Sequence, residues 1–519
     1  MKRILSVILT LMLVLTLCGG ALAETLSTFP IVEEPIKLTA YAVQSPQGGI
    51  ANEMITLQKY AEMTNIQIDW VDVPQDTAAD TLSMLLASGE LPDFLYGFSI
   101  SGNDMIKYGS AGLFANLNEP IKNYAKNFMK VAEQYPGALS GITLADGNIY
   151  SLPHLKLGDN MRTNKLFINP EWLAACELEM PTTFEEFEEV LYTFREYDAN
   201  GNGEKDEVPF LIRYREGYFW DTMKSFFGLG NRGQAHTWVD WDEEQEALRF
   251  IPTTSEFKDL LTVAHKWFED GILSPELFQQ TSSKQIVAVA GAGLAGAHAD
   301  FVTNTGSFYQ EIFRSVPVLE NYYGDKTWYR MSGTINNLSG MVISAKCPYV
   351  NELVQWADYF YSDEGLILYN MGIEGITFEY DENGKPQWKD EMINDPNGLT
   401  LTQKRVQYMY IQAATGIYSD ETYQGPETYW TSTELMDDYR PCTPVEVWEA
   451  FSPTLEEAEE MDYIWTDMQA YLMESIAKFI DGSRSLDTWD EYVATIEGMD
   501  LARYMELYTQ QYERYAAAE

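Results

Sequence analysis

The sequence predicts an α/β protein made of two lobes, each with a mostly parallel sheet flanked by helices and with a ligand cleft between them. Three observations lead to this expectation. The chain has 519 residues, which exceeds what one ordinary core accommodates. Its first hundred residues after the leader alternate between strand and helix patterns, and a second unit of the same kind begins near residue 160.

The first unit reads as strand, helix, strand, helix and strand. Strand patterns cover 37–43 and 66–73, amphipathic helix patterns cover 52–65 and 77–89, and an apolar run covers 93–98. This order is typical of a parallel sheet with right-handed crossovers.

Ligands of such sheets bind beyond the carboxyl ends of the strands. In this first unit, that edge is predicted to carry Tyr41, Gln44, Phe98 and Ser99.

The second unit is predicted from a strong helix and the strand that follows it. Residues 181–196 place their apolar side chains on one face, and Thr183 and Glu186 have the spacing of a capping box. A strand is expected over 208–214. Later segments are expected to form a hairpin over 238–250, an amphipathic helix over 351–362 and mostly helices over the last hundred residues.

The amino terminus has the layout of a cleaved secretory signal. Lys2 and Arg3 precede the apolar stretch 4–17, and Ala21-Leu22-Ala23 matches a cleavage site. We expect a signal peptide over 1–23, a linker over 24–35 and a secreted protein.

Charge excludes one class of partner. The chain carries 79 acidic and 34 basic residues, for a formal net charge of −45. Nucleic-acid binding depends on Lys and Arg neutralising phosphates, so it is not expected. The acidity also disfavours anionic solutes.

The histidines lie far apart without zinc-ligand spacing.

An acidic loop after the helix at 181–196 is the clearest candidate metal site. Oxygen-bearing side chains alternate along it, with Gly203 where a calcium loop turns sharply. The closing acid comes earlier than in an EF-hand, so a polar turn without metal is the alternative. The predicted ligands of a structural Ca²⁺ are Asp198, Asn200, Asn202, Glu204 through its backbone carbonyl, Asp206 and Glu207.

A second glycine motif has the spacing of a dinucleotide site. Gly291, Gly293 and Gly296 form G-x-G-x-x-G after an apolar run. An exported protein is not expected to carry such a cofactor, so we attribute these small residues to close packing between a strand and a helix.

Aromatic residues beside polar ones recur in the second half of the chain. Flat rings suit the apolar faces of sugars, while Arg, Asn and Asp can satisfy hydroxyl groups. The candidates for ligand binding are Arg213, Tyr214, Trp220, Trp238, Trp328, Tyr329 and Trp430. Motifs of serine, zinc or phosphate-transfer enzymes are missing from the sequence, so a secreted carbohydrate-active enzyme is the weaker alternative.

Three further segments, 146–153, 164–191 and 347–375, together with the acidic loop, resemble the extracellular family 1 solute-binding proteins. The likeness is to large alginate-oligosaccharide-binding and lipoprotein-type members. It implies calcium at the six loop residues and a periplasmic-binding-protein-like fold of class II.

The resemblance also implies how the two lobes are divided. Lobe 1 would comprise 36–152 and 287–341, and lobe 2 would comprise 153–286 and 342–519. The chain would cross between the lobes near 151–154, 284–288 and 340–344. Asp300 would return to the lobe 1 side of the cleft.

The function implied is capture of an oligosaccharide for an ABC importer by a monomer that delivers it to a membrane permease. A peptide or another nutrient is the alternative ligand. The negative charge favours a neutral glycan unless Arg162, Arg213 or Arg215 pairs with carboxylates. Lipid anchoring is usual in relatives, but Leu17 departs from the motif before Cys18, so we favour signal cleavage without it.

Overall fold

A computed structural model describes residues 26–518, except 46–47, 163–164, 215–217, 282, 300–311, 397–398, 400, 411–412 and 419–432. The expected signal peptide with Cys18, and the candidate ligand residues Arg215, Asp300 and Trp430, therefore lie outside the described residues.

The described chain alternates between helices and mostly short strands. The strands are β1 (Ile36–Gln44), β2 (Ile66–Pro74), β3 (Phe94–Tyr96), β4 (Ser151–Lys156), β5 (Phe167–Ile168), β6 (Val208–Leu211), β7 (Val239–Asp242), β8 (Ala247–Phe250), β9 (Ala295–His298), β10 (Arg314–Ser315), β11 (Ile335–Ile343), β12 (Phe378–Tyr380), β13 (Pro386–Trp388) and β14 (Gly416–Tyr418).

The helices are α1 (Ile55–Thr64), α2 (Ala78–Ser88), α3 (Gly102–Ser110), α4 (Asn118–Tyr124), α5 (Lys126–Gln134), α6 (Gly137–Ser140), α7 (Pro170–Ala175), α8 (Phe184–Glu196), α9 (Phe219–Phe226), α10 (Ser255–Glu269), α11 (Ser283–Gly291), α12 (Val350–Asp358), α13 (Asp363–Asn370), α14 (Asp390–Ile393), α15 (Leu401–Tyr408), α16 (Met436–Tyr439), α17 (Leu455–Ile480), α18 (Trp489–Glu497) and α19 (Leu501–Ala518).

The first sheet has six strands in the order β14-β4-β11-β3-β1-β2. Strand β1 is parallel to both β2 and β3, as the alternating pattern predicts. Strand β11 is antiparallel to both of its neighbours, β3 and β4, because the chain enters it from the other sheet. One face of this sheet packs on α1, α4, α5 and α12, and the other packs on α2 and α3.

The second sheet has four strands in the order β10-β5-β9-β6. Only β6 and β9 are parallel, while β5 is antiparallel to both β9 and β10. This sheet is mixed, which differs from the expectation of mostly parallel strands. Helix α8 covers it with Phe187, Leu191 and Phe194 fully buried. The predicted hairpin over 238–250 is present as β7 and β8.

Strand pairing divides the chain differently from the expected boundaries. Strand β9 lies within 287–341, which the resemblance assigns to lobe 1, yet it pairs in the second sheet. Helix α12 and β14 lie within 342–519, the expected lobe 2, yet they belong to the first sheet. The chain returns to the first sheet through β11 and is still there at β14. The crossing expected near 284–288 falls inside α11 instead.

The last three helices, α17, α18 and α19, join the core of the second lobe. Met468, Leu472 and Ile476 of α17 are fully buried in the same cluster as Trp267 of α10. Helix α17 also reaches the first lobe, where Asn103 of α3 donates to Asp462 over 3.0 Å. Among the described residues, none of the helices has the length and apolar character needed to cross a membrane.

Candidate functional site

The candidate site in the first lobe is a cavity of about 600 Å³ at the carboxyl ends of β1 and β3. Strand β1 lies between β2 and β3, so the strand order reverses at this point, which is where open α/β sheets bind ligands. The cavity is lined by Val43, Gln75, Ala78, Ala79, Leu82, Gly97, Phe98, Ser99, Asn336, Asn337 and Ala413.

The loop that follows β3 is held in place by the crossing strand β11. Gly97 has a φ of 72°, a left-handed conformation that suits glycine. The Asn337 side-chain amide donates to the Phe98 carbonyl over 3.1 Å and to the Ala413 carbonyl over 2.8 Å. Ser339 Oγ donates to the same Phe98 carbonyl over 2.8 Å. Two residues of β11 therefore set the shape of the cavity wall.

The polar groups that face this cavity are uncharged. Gln75, Ser99 and Asn336 are exposed side chains with amide or hydroxyl groups, and among the described residues that line the cavity none is Asp, Glu, Lys or Arg. Amides and hydroxyls both donate and accept hydrogen bonds. The cavity is thus suited to a neutral ligand rich in hydroxyl groups.

The four residues predicted at this edge separate into two pairs. Phe98 and Ser99 line the cavity as expected, although only Ser99 is exposed. Gln44 instead lines a much smaller adjacent cavity, and its Nε2 donates to the Gly49 carbonyl over 3.1 Å. Tyr41 lies on the same face of β1 as Val43 but two residues farther from the carboxyl end of the strand, and it packs partly buried against α2 and α3.

Sequence reasoning missed Gln75, Asn336 and Asn337. The signal for the last two was available, since two adjacent amides within an apolar strand pattern are unusual. Gln75 has no such signal, because it is one polar residue in a turn between β2 and α2.

In the second lobe, two arginines converge on one tyrosine. The guanidinium carbon of Arg213 lies 3.5 Å from the centre of the Tyr218 ring, and that of Arg330 lies 5.0 Å from it. Both arginines are buried, with exposed fractions of 6% and 0%. Such stacking holds cations against aromatic faces. Arg213 was a sequence candidate, whereas Arg330 was not.

The tryptophans predicted to stack on a sugar belong to the core of the second lobe. Trp220 is 1% exposed and packs against Trp238 at 5.4 Å between ring centres. Trp328 packs against Tyr439 at 5.7 Å. Trp220, Trp238 and Trp328 are at most 6% exposed, so this structure does not favour the prediction that they contact a ligand. The reason is that bulky aromatic side chains fill the space between α9, α10 and the sheet.

Two tyrosines of the same group are less deeply placed. Tyr214 packs on Phe219 and Phe278, and its hydroxyl has no hydrogen-bond partner among the described residues. Burial raises the pKa of Tyr329, which is half-buried. Tyr329 follows the core residue Trp328, and its backbone nitrogen donates to Ser225 Oγ over 3.2 Å.

Arg162 is occupied by contacts within the chain. Its Nε donates to Thr443 Oγ1 over 3.3 Å, and Nη1 lies 3.6 Å from the Asp159 carboxylate. Nearby Lys165 is fully buried and donates to the Glu434 carbonyl over 2.5 Å. Burial lowers the pKa of this Lys165 ammonium to about 7. Sequence reasoning missed Lys165.

The acidic loop folds so that its polar groups hydrogen-bond with one another. The Asn202 amide donates to both oxygens of Asp206, over 3.0 and 3.1 Å, and the Asn200 amide donates to Asp206 over 3.0 Å. The Asp198 carboxylate accepts from Gly203 N over 2.9 Å. Glu207 accepts from Ala199 N over 3.1 Å, which closes the loop onto its own start.

Calcium ligands of this kind include amide and backbone oxygens as well as carboxylates. The side chains of Asn200, Asn202, Asp206 and Glu207 point into the loop, while Glu204 is exposed and would contribute only its carbonyl. Within the described ranges, no three His, Cys, Asp or Glu side chains form a metal-holding group. The fit to a cation therefore depends on the asparagine and backbone oxygens.

The glycine motif at 291–296 has the wrong order of elements for a dinucleotide site. It runs from helix α11 through a turn into strand β9, whereas the nucleotide motif runs from strand to helix. A Cβ at Gly296 would lie 2.5 Å from Phe194 and 2.9 Å from Trp172. The described structure thus supports close packing as the role of this glycine.

Comparison with known proteins agrees with these features. Residues 43–367 match the family model of the bacterial extracellular solute-binding proteins. The chain is 25% identical over 514 residues to the fructooligosaccharide ABC transporter substrate-binding protein FusA of Streptococcus pneumoniae, covering 94% of this chain and 92% of FusA.

Solved structures share the same fold. An EF-hand mutant of FusA in complex with fructo-nystose superposes with a TM-score of 0.78 at 23% identity, covering 93% of this chain and all of that one. An HMO-binding solute-binding protein from Bifidobacterium longum infantis has a TM-score of 0.79 at 18% identity, covering 93% and 99%. The alginate-binding protein AlgQ2, solved without calcium ion, has a TM-score of 0.73 at 20% identity, covering 93% and 99%.

The family model extends from the last two residues of β1 into α13, and so covers β2, β3, β4 and β11 of the first sheet but not the short β14. The two-lobe architecture of the neighbours agrees with the two sheets described above. The chain therefore belongs to the family of bacterial extracellular solute-binding proteins.

Proposed function

We propose that this protein is the extracellular substrate-binding component of an ABC importer, which captures an oligosaccharide between its two lobes and delivers it to a membrane permease. The observation that carries this proposal is the uncharged, amide-lined cavity at the edge where β4 and β11 leave the first sheet. A ligand held there can contact the second lobe when the hinge closes. FusA, similar over nearly the whole chain, is named for fructooligosaccharides.

The ligand class is a neutral glycan. None of the cavity residues that the structure describes is charged, and a net charge of −45 repels anions. The alginate-binding neighbour AlgQ2 is named for an acidic polymer, and a shared fold does not transfer that preference.

We propose binding without catalysis. Glycoside hydrolysis generally needs two carboxyl groups flanking the scissile bond. Within the described part of the chain, no Asp or Glu lines the cavity. The ligand would be released intact.

Calcium is proposed as a structural ion in the loop 198–207. Its ligands would be Asp198, Asn200, Asn202, the Glu204 carbonyl, Asp206 and Glu207. The convergence of these side chains supports the assignment, as does the similarity to FusA, a relative with an EF-hand of its own. The ion would tie the end of α8 to the start of β6.

We expect calcium to raise the melting temperature of the wild-type protein and to leave Asp206→Ala unchanged. Differential scanning fluorimetry with and without chelator measures this. Asp381→Ala, in the hairpin turn between β12 and β13, is the matched control and should keep the calcium response. An unchanged response in Asp206→Ala would remove the loop from consideration.

The cellular setting is also a proposal. The leader at 1–23 would direct export, and the mature protein would act as a monomer at the outer face of the membrane. Fractionation of cells and culture medium, with mass determination of the amino terminus, tests export and lipidation at Cys18 together.

The test of ligand class is a thermal-shift and calorimetry panel containing kestose, an alginate oligosaccharide and a peptide mixture. Ligand at a hundred times its Kd stabilises by about 2.7 kcal/mol. We expect a shift with the neutral sugar alone and no product on chromatography. A shift with peptides alone, or sugar breakdown, would contradict the proposal.

A cavity-filling variant locates the site. Ala79→Trp, on the part of α2 that lines the cavity, should abolish sugar binding. Met84→Trp, at a 63% exposed position on the opposite side of the same helix, should not. Equal affinity in both variants would move the binding site elsewhere.

A further inference from the structure

A histidine behind the cavity contacts one of its polar groups. His154 lies on β4 and Asn336 lies at the start of β11, so both belong to strands that lead from the first sheet toward the second lobe. Nδ1 of His154 is 3.1 Å from Nδ2 of Asn336. Asn336 is exposed in the cavity, whereas His154 is fully buried.

The surroundings of His154 keep the imidazole neutral. Its ring meets Tyr418 edge-on at 4.3 Å and lies 6.0 Å from Tyr369. Burial, with a smaller contribution from Lys156, lowers its pKa to about 3. A neutral imidazole has one nitrogen that accepts a hydrogen bond, so Nδ1 can accept from the Asn336 amide.

This hydrogen bond fixes the rotation of the amide. Nδ2 and Oδ1 lie on opposite sides of the Asn336 side-chain carbon, so anchoring Nδ2 on the ring leaves Oδ1 for the cavity. A carbonyl oxygen accepts from a hydroxyl donor. An unanchored amide would rotate and lose part of the hydrogen-bond energy to ordering entropy.

We propose that His154 is a positioning residue for ligand binding: it holds the Asn336 amide so that Oδ1 accepts a hydrogen bond from a hydroxyl group of the bound sugar. This inference rests on the proposed function of the cavity. It makes Asn336 the specificity-determining contact for hydroxyl groups and His154 the group that acts through it.

A double-mutant cycle with kestose tests the coupling. Calorimetry on Asn336→Ala should show a Kd about five- to tenfold higher, the range for loss of one hydrogen bond. His154→Phe keeps a ring but loses the acceptor, and its Kd should rise about threefold or more. The double variant should bind no more weakly than Asn336→Ala, because the histidine acts only through the asparagine.

Ser151→Ala is the matched control. Ser151 is buried on the same strand and its Oγ donates to the Leu338 carbonyl of β11 over 2.7 Å, but it does not line the cavity. Its affinity should equal that of the wild type. Multiplicative losses in the double variant, or unchanged affinity in His154→Phe, would overturn the proposal.

A second measurement does not depend on folding of the variants. Nitrogen NMR of histidine-labelled wild-type protein reports the tautomer, and we expect Nδ1 of His154 to be unprotonated. If Nδ1 carries a proton, the Asn336 side chain must turn its Oδ1 toward the ring instead of Nδ2. That result would overturn the assignment. If the wild type binds no oligosaccharide at all, the proposed function fails. The NMR tautomer of His154 is measured without ligand, so it shows separately whether the contact between His154 and Asn336 is present.

Discussion

Gly296 in strand β9 occupies a position where no side chain fits. A Cβ built there would come within 2.5 Å of Phe194 and 2.9 Å of Trp172, and both rings are buried in the second-lobe core. The rings cannot withdraw, because the interior is packed like a crystal of small molecules. A single missing methyl group thus allows α7 and α8 to approach the sheet.

Replacing Gly296 by Ala should destabilise the protein by about 1–3 kcal/mol through overpacking. Urea denaturation followed by tryptophan fluorescence measures this change in unfolding free energy. Gly102→Ala is the matched control, since a Cβ at Gly102 meets no atom within 4 Å. Equal stability of both variants would show that the rings around Gly296 adapt freely.

Helix α8 illustrates how local sequence sets an element and how a neighbour modifies it. Thr183 Oγ1 accepts from Glu186 N over 3.1 Å, which is the expected first half of the capping box. The second half differs, because the Glu186 carboxylate accepts from Thr182 N and Thr182 Oγ1, over 2.7 and 2.8 Å. The hydrogen bond from Thr182 N is the main reason that the pKa of the Glu186 carboxyl is lowered. The cap therefore extends one residue beyond the box.

Removing the cap should weaken the whole second lobe. Thr183→Ala should lower the unfolding free energy by about 1 kcal/mol, because one helical N–H loses its acceptor. Thr262→Ala in the interior of α10 is the control, since that threonine is exposed and bonds only to its own helix at the Lys258 carbonyl. Chemical denaturation compares the two, and an equal loss in Thr262→Ala would contradict the capping argument.

At the scale of the molecule, buried titratable groups couple stability to pH. Burial lowers the pKa of His154 and His298 to about 3 and that of His236 to about 4. In the unfolded chain these groups titrate near 6.5, so the unfolded state binds more protons as the pH falls below that value. Asp358 acts in the opposite direction, because burial raises its pKa to about 6.

The contribution of the buried histidines should therefore be complete above pH 6.5 and decrease between pH 6.5 and 4. Each net proton contributes a slope of about 1.4 kcal/mol per pH unit, and Asp358 offsets one histidine. Urea denaturation across this range measures the slope, which should become shallower in His236→Gln. His265→Gln, at a partly exposed position, is the control. A slope unaffected by the His236 substitution would rule out this contribution.

Local chemistry allowed much of the fold to be predicted. The cap of α8, the hairpin of β7 and β8, and the parallel β1, β2 and β3 follow from patterns within a few dozen residues, where periodicity and turn residues decide the structure. The calcium site also rests on a local pattern, within 198–207, and it stays a prediction. Phe98 and Ser99 were predicted in the cavity because strand ends define that edge.

Only the tertiary structure decided which aromatic rings are buried and how the cavity is completed. The flat rings of Trp220 and Trp238 would suit stacking on a sugar, but helices from distant parts of the chain cover them. The cavity joins residues as far apart as Val43 and Ala413, and the contact between His154 and Asn336 spans 182 positions. A sequence pattern shows the spacing of apolar and polar residues within one segment. These contacts depend instead on how separate segments pack against one another.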